Sequence, residues 1–362
     1  MEVTVDSAVS ELQGDADLCA EELYLVPGEC VMRVRSNSPE LLATLADYFS
    51  HVAGSPVTPE VDIIAIERDA PELDIDFIDW KREAGKSGRK DSYVDLPGGR
   101  LVRKVRTGMV FLQSERYRIA AGPCRKYDNQ VINFINSQYM NWLQNRGWLI
   151  CHAAGLVFRD KCLGIAGFSG GGKSTLLLNL LDNEEVSYLT NDRLFLHAGS
   201  GMVLARGIPK LPRINPGTIV HNRKLHGLVP AQRRKALLQM PAAELWELEE
   251  KYDVSVDSVY GPGRIRTEAP LTALLILDWS RDSNRELQLE QVNLAQHHDL
   301  LGALMKSPGP FYQHPDGSFQ QDTAAFDESA YLDVLANITT YVATGRIDFT
   351  TMADRCLHEL LT

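Results

Sequence analysis

The sequence predicts an α/β protein with a smaller, strand-rich α+β domain ahead of a phosphate-binding-loop domain. Three observations carry that expectation. An apolar strand, a glycine-rich turn and a leucine-rich helix follow one another at residues 163–181. A nearly unbroken apolar run, Leu271 to Leu277, has the character of a strand covered on both faces. The section before Gly122-Pro123 alternates short strand patterns with turns and carries one helical pattern. The 362 residues and 44% hydrophobic content suit a large globular chain that needs no disulfides to fold.

Taken in order, the first twenty or so residues are acidic and sparse in large apolar groups, and read as a loose arm. Ser38-Pro39-Glu40 reads as an N-cap, a first-turn proline and an early carboxylate, opening a helix to Val52. Val61 to Ile66 reads as a strand. Tyr93 to Arg106 reads as a hairpin turning at Pro97-Gly98-Gly99, followed by a strand over Met109 to Leu112. Residues 81–106 are locally basic: a solvated hairpin edge on the plain reading, a docking patch for an acidic partner on the sharper one.

The domain boundary is placed between 127 and 128. Beyond it, Asn129 to Gln144 carries one apolar stripe at helical spacing. Strands are expected over Trp148 to Phe158 and Cys162 to Ala166, and helices over Leu294 to Met305, Glu328 to Val342 and Met352 to Leu361. The cationic residues 223–235 and acidic residues 244–250 read as a solvated helical face, or else as a substrate lid.

A net charge of −11 argues against a nucleic-acid partner, and no apolar run approaches the roughly 20 residues that cross a bilayer. No Lys or Arg precedes Arg33, so the sequence predicts a protein that is not exported. Six scattered cysteines without a C-x-x-C pair predict reduced thiols and a cytoplasmic setting. The histidines, His297-His298 included, lack the spacing of a zinc site.

Gly167-Phe168-Ser169-Gly170-Gly171-Gly172-Lys173-Ser174 satisfies G-x-x-x-x-G-K-[ST] between a strand and a helix. Glycines let successive amide N–H groups converge on phosphate oxygens, and the helix start adds its positive dipole end. Lys173 is expected to reach the β- and γ-phosphates and Ser174 to ligate Mg2+, with Gly167, Ser169, Gly170, Gly171, Gly172 and Thr175 completing the cradle. The expected ligand is therefore a nucleoside triphosphate, ATP with Mg2+. Transporter-type ATPase and GTPase markers are missing. Leu274 to Asp278 has a Walker-B-like profile, but Trp279 follows Asp278, which reads as a strand-end turn residue.

Tyr188 to Leu194 is a strand pattern interrupted at Thr190-Asn191-Asp192. Strand ends in such sheets open onto the ligand crevice, so Asp192 is the candidate for Mg2+ and for the acceptor proton. His152 is the candidate to hydrogen-bond Asp192 or a phosphoryl oxygen. Arg206, Lys210 and Arg213 lie in a Pro- and Gly-rich course that would hold cations rigidly, Arg213 being the candidate to offset transition-state charge.

The order Cys151-His152-Ala153-Ala154-Gly155-Leu156-Val157, then the 167–174 loop, then Leu189-Thr190-Asn191-Asp192-Arg193, resembles the catalytic domain of HPr kinase/phosphorylase. It is closest to the HPr-kinase-related kinase B branch, which Gly207 to Gly217 also fits. The resemblance is good over residues 148–200 and weak elsewhere. It implies a fold of the HPr kinase/phosphoenolpyruvate carboxykinase-like type. It also implies catalytic roles for His152, Lys173 and Asp192, and transfer of a phosphoryl group to a hydroxyl on a protein serine or a small molecule. Two carboxylates of that family's pattern are replaced, by Asn191 and Thr175, which weakens the case for the reverse reaction and for HPr as substrate. Related kinases include hexamers and monomers, so a homo-oligomer is left open. The rival readings are an ATP-binding interaction module that phosphorylates nothing and an ATPase that needs no acceptor.

Overall fold

The computed structural model describes residues 3–81, 88–168, 170–199 and 201–361. It is mixed α/β, and the chain divides into two compact units. The first joins Met1–Gly147 with Ser307–Ala325, the second Trp148–Lys306 with Phe326–Thr362.

The first unit is built on one sheet. Its strands are β1 (Leu23–Leu25), β2 (Met32–Ser36), β3 (Val61–Glu67), β4 (Ile78–Asp79), β5 (Asp91–Leu96), β6 (Gly99–Lys104), β7 (Val110–Ser114) and β8 (Arg118–Gly122), in the spatial order β1-β2-β3-β8-β7-β6-β5-β4. β2, β3 and β8 are parallel, and β8 back to β5 is an antiparallel meander.

The expected loose N-terminal arm is instead helix α1 (Val5–Gln13), opened by a reciprocal Thr4–Ser7 capping box. Ala8 and Leu12, one helical turn apart, are buried, and the helix packs on β7 and β8. α2 (Pro39–Tyr48) starts as the sequence predicts, with the Ser38 hydroxyl accepting from the Leu41 amide, and is followed by a separate 3-10 turn over Ser50–Val52. α3 (Asp128–Gln144) belongs to this unit, not to the C-terminal domain. Its single apolar stripe is also a correction, because Asn136, Gln138 and Asn141 are buried along with Phe134 and Tyr139. Phe134 packs on Phe111 and on Phe311, the last supplied by the returning segment 307–325.

Several cations of the basic stretch are engaged within the first unit. Arg89 pairs with Asp79, Lys104 with Asp91, and Arg103 covers the Phe77 ring. Arg100 is fully buried. Arg82, Glu83 and Lys86 lie outside the described residues.

The second unit is a branched sheet. β9 (Leu149–Cys151), β10 (Ala153–Phe158), β11 (Lys161–Gly167), β12 (Val186–Thr190), β13 (Leu194–Ala198), β14 (Val203–Arg206) and the ten-residue β17 (Glu268–Leu277) lie in the order β12-β10-β11-β17-β14-β13-β9. A minor pair, β15 (Arg213–Ile214) and β16 (Tyr252–Asp253), stands apart. β17 pairs through its first residues with β14, antiparallel, and through its last with β19 (Thr339–Thr344), parallel. β19 also carries β18 (Gln288–Val292). Ala273, Leu275 and Leu277 face one apolar core and Leu274 and Ile276 the other, so the apolar run is covered on both faces as read.

α4 (Lys173–Leu180) follows β11. Between α4 and β17 come α5 (Pro216–His221), α6 (Ala231–Leu238), α7 (Ala242–Glu247) and α8 (Val256–Tyr260). α9 (Glu328–Leu335) and α10 (Phe349–Arg355) complete the set. Three expected elements differ. Trp148 to Phe158 is two strands interrupted at His152. Leu294 to Met305 forms 3-10 turns. Glu328 to Val342 is helical only to Leu335, after which the β-branched residues of 338–342 enter the sheet as β19. The final helix starts at Phe349 and ends in a π turn, Cys356–Leu360.

Candidate active site

β11 delivers the glycine-rich turn to the edge of the second unit's sheet. A side chain at Gly167 would put Cβ 3.0 Å from Leu277 Cβ and 3.1 Å from its carbonyl oxygen, so glycine lets the ends of β11 and β17 close together. Gly170 and Gly172 have φ of 79° and 81°, the left-handed region that glycine enters without steric cost. Gly172 is the N-cap of α4 and supplies no side chain, which leaves the helix's first amides without a side-chain cap. Trp279 donates from Nε1 to the Gly171 carbonyl at 2.7 Å and stacks edge-on against Phe349, fixing the turn from beneath. Lys173 folds its ammonium back onto the loop, donating to the Gly167 carbonyl at 2.8 Å. Ser174 lies in the first turn of α4, and the Thr175 hydroxyl is 2.9 Å from that of Thr218 in α5. Ser169 lies outside the described residues.

The acceptor side is set by strand pairing. Ala153 opposes Ala166 in the β10–β11 register, so His152 and Gly167 are the next pair outward. β12 borders β10 on its other edge, with Thr190 opposite Gly155. The interruption after Thr190 therefore brings Asp192 to the same sheet edge as the loop, two strand spacings or about 10 Å across. His152 Nε2 lies 3.1 Å from Asp192 Oδ1, and its amide donates to the Leu304 carbonyl at 2.7 Å. Burial alone would raise the Asp192 carboxyl. The His152 hydrogen bond and the charges of Arg193, His152 and Lys306 outweigh it and hold the group well below the usual carboxylate range, with the side chain still half open to solvent. Arg193 Nε is 3.7 Å from Asp192 Oδ2. The Asn191 Oδ1 atom beside them is buried and has no hydrogen-bond partner.

The 207–213 course lies along β12. A Cβ on Gly207 would fall 2.0 Å from the Leu189 carbonyl oxygen, so only glycine permits that approach. Tyr188 donates its hydroxyl to the Lys210 carbonyl at 2.6 Å, and Arg213 Nε lies 3.4 Å from Asp253 across β15–β16. Burial, with Arg193 and Arg213 nearby, pushes the Lys210 ammonium down to about 8 against the opposing pull of Asp192 and Asp253. Arg206 is not part of this cluster. It is buried, bonded to Glu268 at 2.5 Å and stacked on Trp148.

Asp278 is exposed at the end of β17, beside the loop, and partial burial together with Asp299 raises its carboxyl. The cations of residues 223–235 are partly engaged locally, Lys224 with Asp182 and Arg233 with Glu250. Among the described residues no three His, Cys, Asp or Glu side chains are grouped to hold a metal, and no helix is long and apolar enough to cross a membrane.

Sequence reasoning missed Arg193, Lys306, Trp279 and Thr218. Arg193 was signalled by adjacency to Asp192. Lys306 reaches the site through the Leu304–His152 contact and leaves no local trace in the sequence.

No protein-family model matches the chain, and no curated protein matches it. Among solved structures, the Hpr(Ser) kinase/phosphatase from Coxiella burnetii overlaps 59% of this chain and 90% of its own, at 10% identity and a TM-score of 0.29. An overlap of that quality carries no functional argument.

Proposed function

We propose that the second unit binds ATP with Mg2+ and transfers the γ-phosphoryl group to a hydroxyl. The observation that carries this reading is the meeting of the G-x-x-x-x-G-K-S loop, His152 and Asp192 at one edge of one sheet. The loop suits a polyphosphate. Its glycines occupy backbone conformations or close approaches that side chains would fill, and α4 offers uncapped amides beside Lys173.

Ser174 would hold Mg2+ beside the loop, with Asp192 facing it across the sheet edge, and the ion would supply charge neutralisation for the phosphates. Lys173 and the loop amides hold the phosphate chain in line. The acceptor oxygen attacks the γ-phosphorus, the bond from that phosphorus to the bridging oxygen breaks, and ADP departs with the electron pair. The acceptor proton passes to Asp192. A carboxylate of low basicity suits a loose transition state, in which the hydroxyl proton leaves late. His152 holds Asp192 Oδ1, which leaves Oδ2, 3.7 Å from Arg193 Nε, to take the acceptor proton.

Lys173→Ala is expected to abolish nucleotide binding measured by calorimetry. Asp192→Asn is expected to leave nucleotide affinity within a few-fold while lowering labelled-phosphate transfer by about 10²–10⁴. Transfer that survives Asp192→Asn but not Lys173→Ala would remove Asp192 from the acceptor role. A second reading, a nucleotide-responsive interaction module, is favoured by one observation: Asn191 and Thr175 stand where carboxylates would serve phosphoryl chemistry, and Thr175 is engaged with Thr218. ATP binding without labelled phosphate on any acceptor in a cell extract would decide for it.

A further inference from the structure

In the first unit β2, β3 and β8 run parallel and side by side. Their carboxyl ends, at Ser36, Glu67 and Gly122, therefore open on one edge of that sheet. In open α/β sheets the crevice outside the strand carboxyl ends is where ligands are held. A cavity of about 440 Å3 lies there, lined by Glu40 and Thr44 of α2, Glu67 of β3, and Arg125 and Lys126 of the turn before α3. Small-ligand pockets span roughly 300–1,000 Å3, so a compact ligand fits.

The walls are fixed by local bonds. Asn37 accepts the Glu67 amide on Oδ1 at 2.7 Å and donates from Nδ2 to the Glu67 carbonyl at 3.0 Å. Glu67 Oε2 accepts from the Arg125 amide at 2.6 Å, and Cys124 Sγ donates to the Ile66 carbonyl, so the turn is stitched to β3. Glu40 Oε2 accepts from the Ser38 hydroxyl at 3.0 Å, at the capped start of α2. Two carboxylates and two cations thus line one cavity. Among the described residues, none of these four side chains closes an ion pair or a hydrogen bond with another of the four. An anion alone would meet Glu40 and Glu67 as well as the cations, and a cation alone would meet Arg125 and Lys126. A ligand that carries one charge of each sign matches the whole lining.

We infer that this cavity is a binding site for a free α-amino acid, whose ammonium meets Glu40 and Glu67 and whose carboxylate meets Arg125 and Lys126. The guanidinium fork of Arg125 suits a carboxylate, and the ammonium supplies three donors to the two glutamates. Charge-assisted bonds at both ends discriminate against ligands that lack either group. The site belongs to the first unit and is independent of the phosphoryl-transfer reading of the second.

The test uses the full chain, screened by thermal shift against each of the common α-amino acids and titrated calorimetrically with those that raise the melting temperature. At least one is expected to bind at a single site, while acetate, ethylammonium and inorganic phosphate at the same concentrations do not. Glu67→Gln, whose amide oxygen can still accept from the Arg125 amide, and Arg125→Gln, at an exposed position, should each weaken that binding by roughly tenfold or more. Lys173→Met, in the other unit, should leave it within twofold. Failure of every amino acid to bind overturns the proposal. So does equal binding of acetate or phosphate, which marks an anion site only, or of ethylammonium, which marks a cation site only. Binding that is indifferent to both Glu67→Gln and Arg125→Gln places the amino acid elsewhere and overturns it as well. None of these outcomes bears on the phosphate loop, which Lys173→Ala tests separately.

Discussion

Lys210 is where burial and charge act most visibly on one side chain. An unfolded lysine keeps its proton to about 10.5, whereas Lys210, facing Arg193 and Arg213 as well as Asp192 and Asp253, gives it up near 8. Between those values the unfolded chain binds more protons, so folding stability is expected to rise as pH increases from about 8 to 10.5. The rise is on the order of 3 kcal/mol at most. Urea midpoints measured across that range should climb in the wild type and stay flatter in Lys210→Met. At this scale the sequence was informative where chemistry is local. Gly170, Gly172, Lys173 and Ser174 are legible because a phosphate cradle is a contiguous turn whose residue types are dictated by φ and by the helix start. Lys306 was not legible, since nothing near it in the chain indicates that the Leu304 carbonyl will meet His152.

Elements were read well when one period governed them and poorly when pairing decided. The helix over 39–48, the 91–104 hairpin and the strand over 271–277 follow from cap, turn and apolar pattern. The stretch around His152 has continuous strand character, yet β9 pairs with β13 while β10 pairs with β11 and β12, so the strand must break there. That break frees His152 to turn toward Asp192. The 338–342 run continues the helical pattern of α9, but its β-branched residues suit a strand, and from Thr339 it pairs in parallel with β17. α4 depends on a single backbone choice at its cap. In Gly172→Ala, φ near 81° would be forced on alanine and its Cβ would fall 2.6 Å from the Phe349 ring. The variant is expected to lose about 1–3 kcal/mol of thermal or urea stability, with nucleotide affinity weakened in parallel.

For the molecule as a whole, the chain path matters more than any element. Residues 307–325 leave the second unit's sequence and fold with the first. Arg100 holds them: its guanidinium binds Asp95 and donates to the carbonyls of Pro310 and Gln320, with Tyr93 and Phe319 rings 4.5 and 4.7 Å away. Arg100→Leu leaves two carbonyls and a carboxylate without that donor. It is expected to destabilise the first unit by about 2–4 kcal/mol, read as a lower denaturant midpoint together with faster proteolysis within 307–325. The sequence placed Arg100 in a basic surface stretch, since the two carbonyls it binds lie more than two hundred positions away.

By itself, then, the sequence determined the phosphate cradle, the strand–loop–helix unit around it and the apolar strand beside it, because each depends on neighbours a few residues apart. The His152–Asp192 contact is expected from their order around the loop, while tertiary structure alone decided that the strand breaks at His152 to make it, that the Leu304 carbonyl holds the His152 amide, and that Arg100 is an internal tie. Those arrangements depend on strand order and chain return, which bring together residues whose separation along the chain carries no periodic signal.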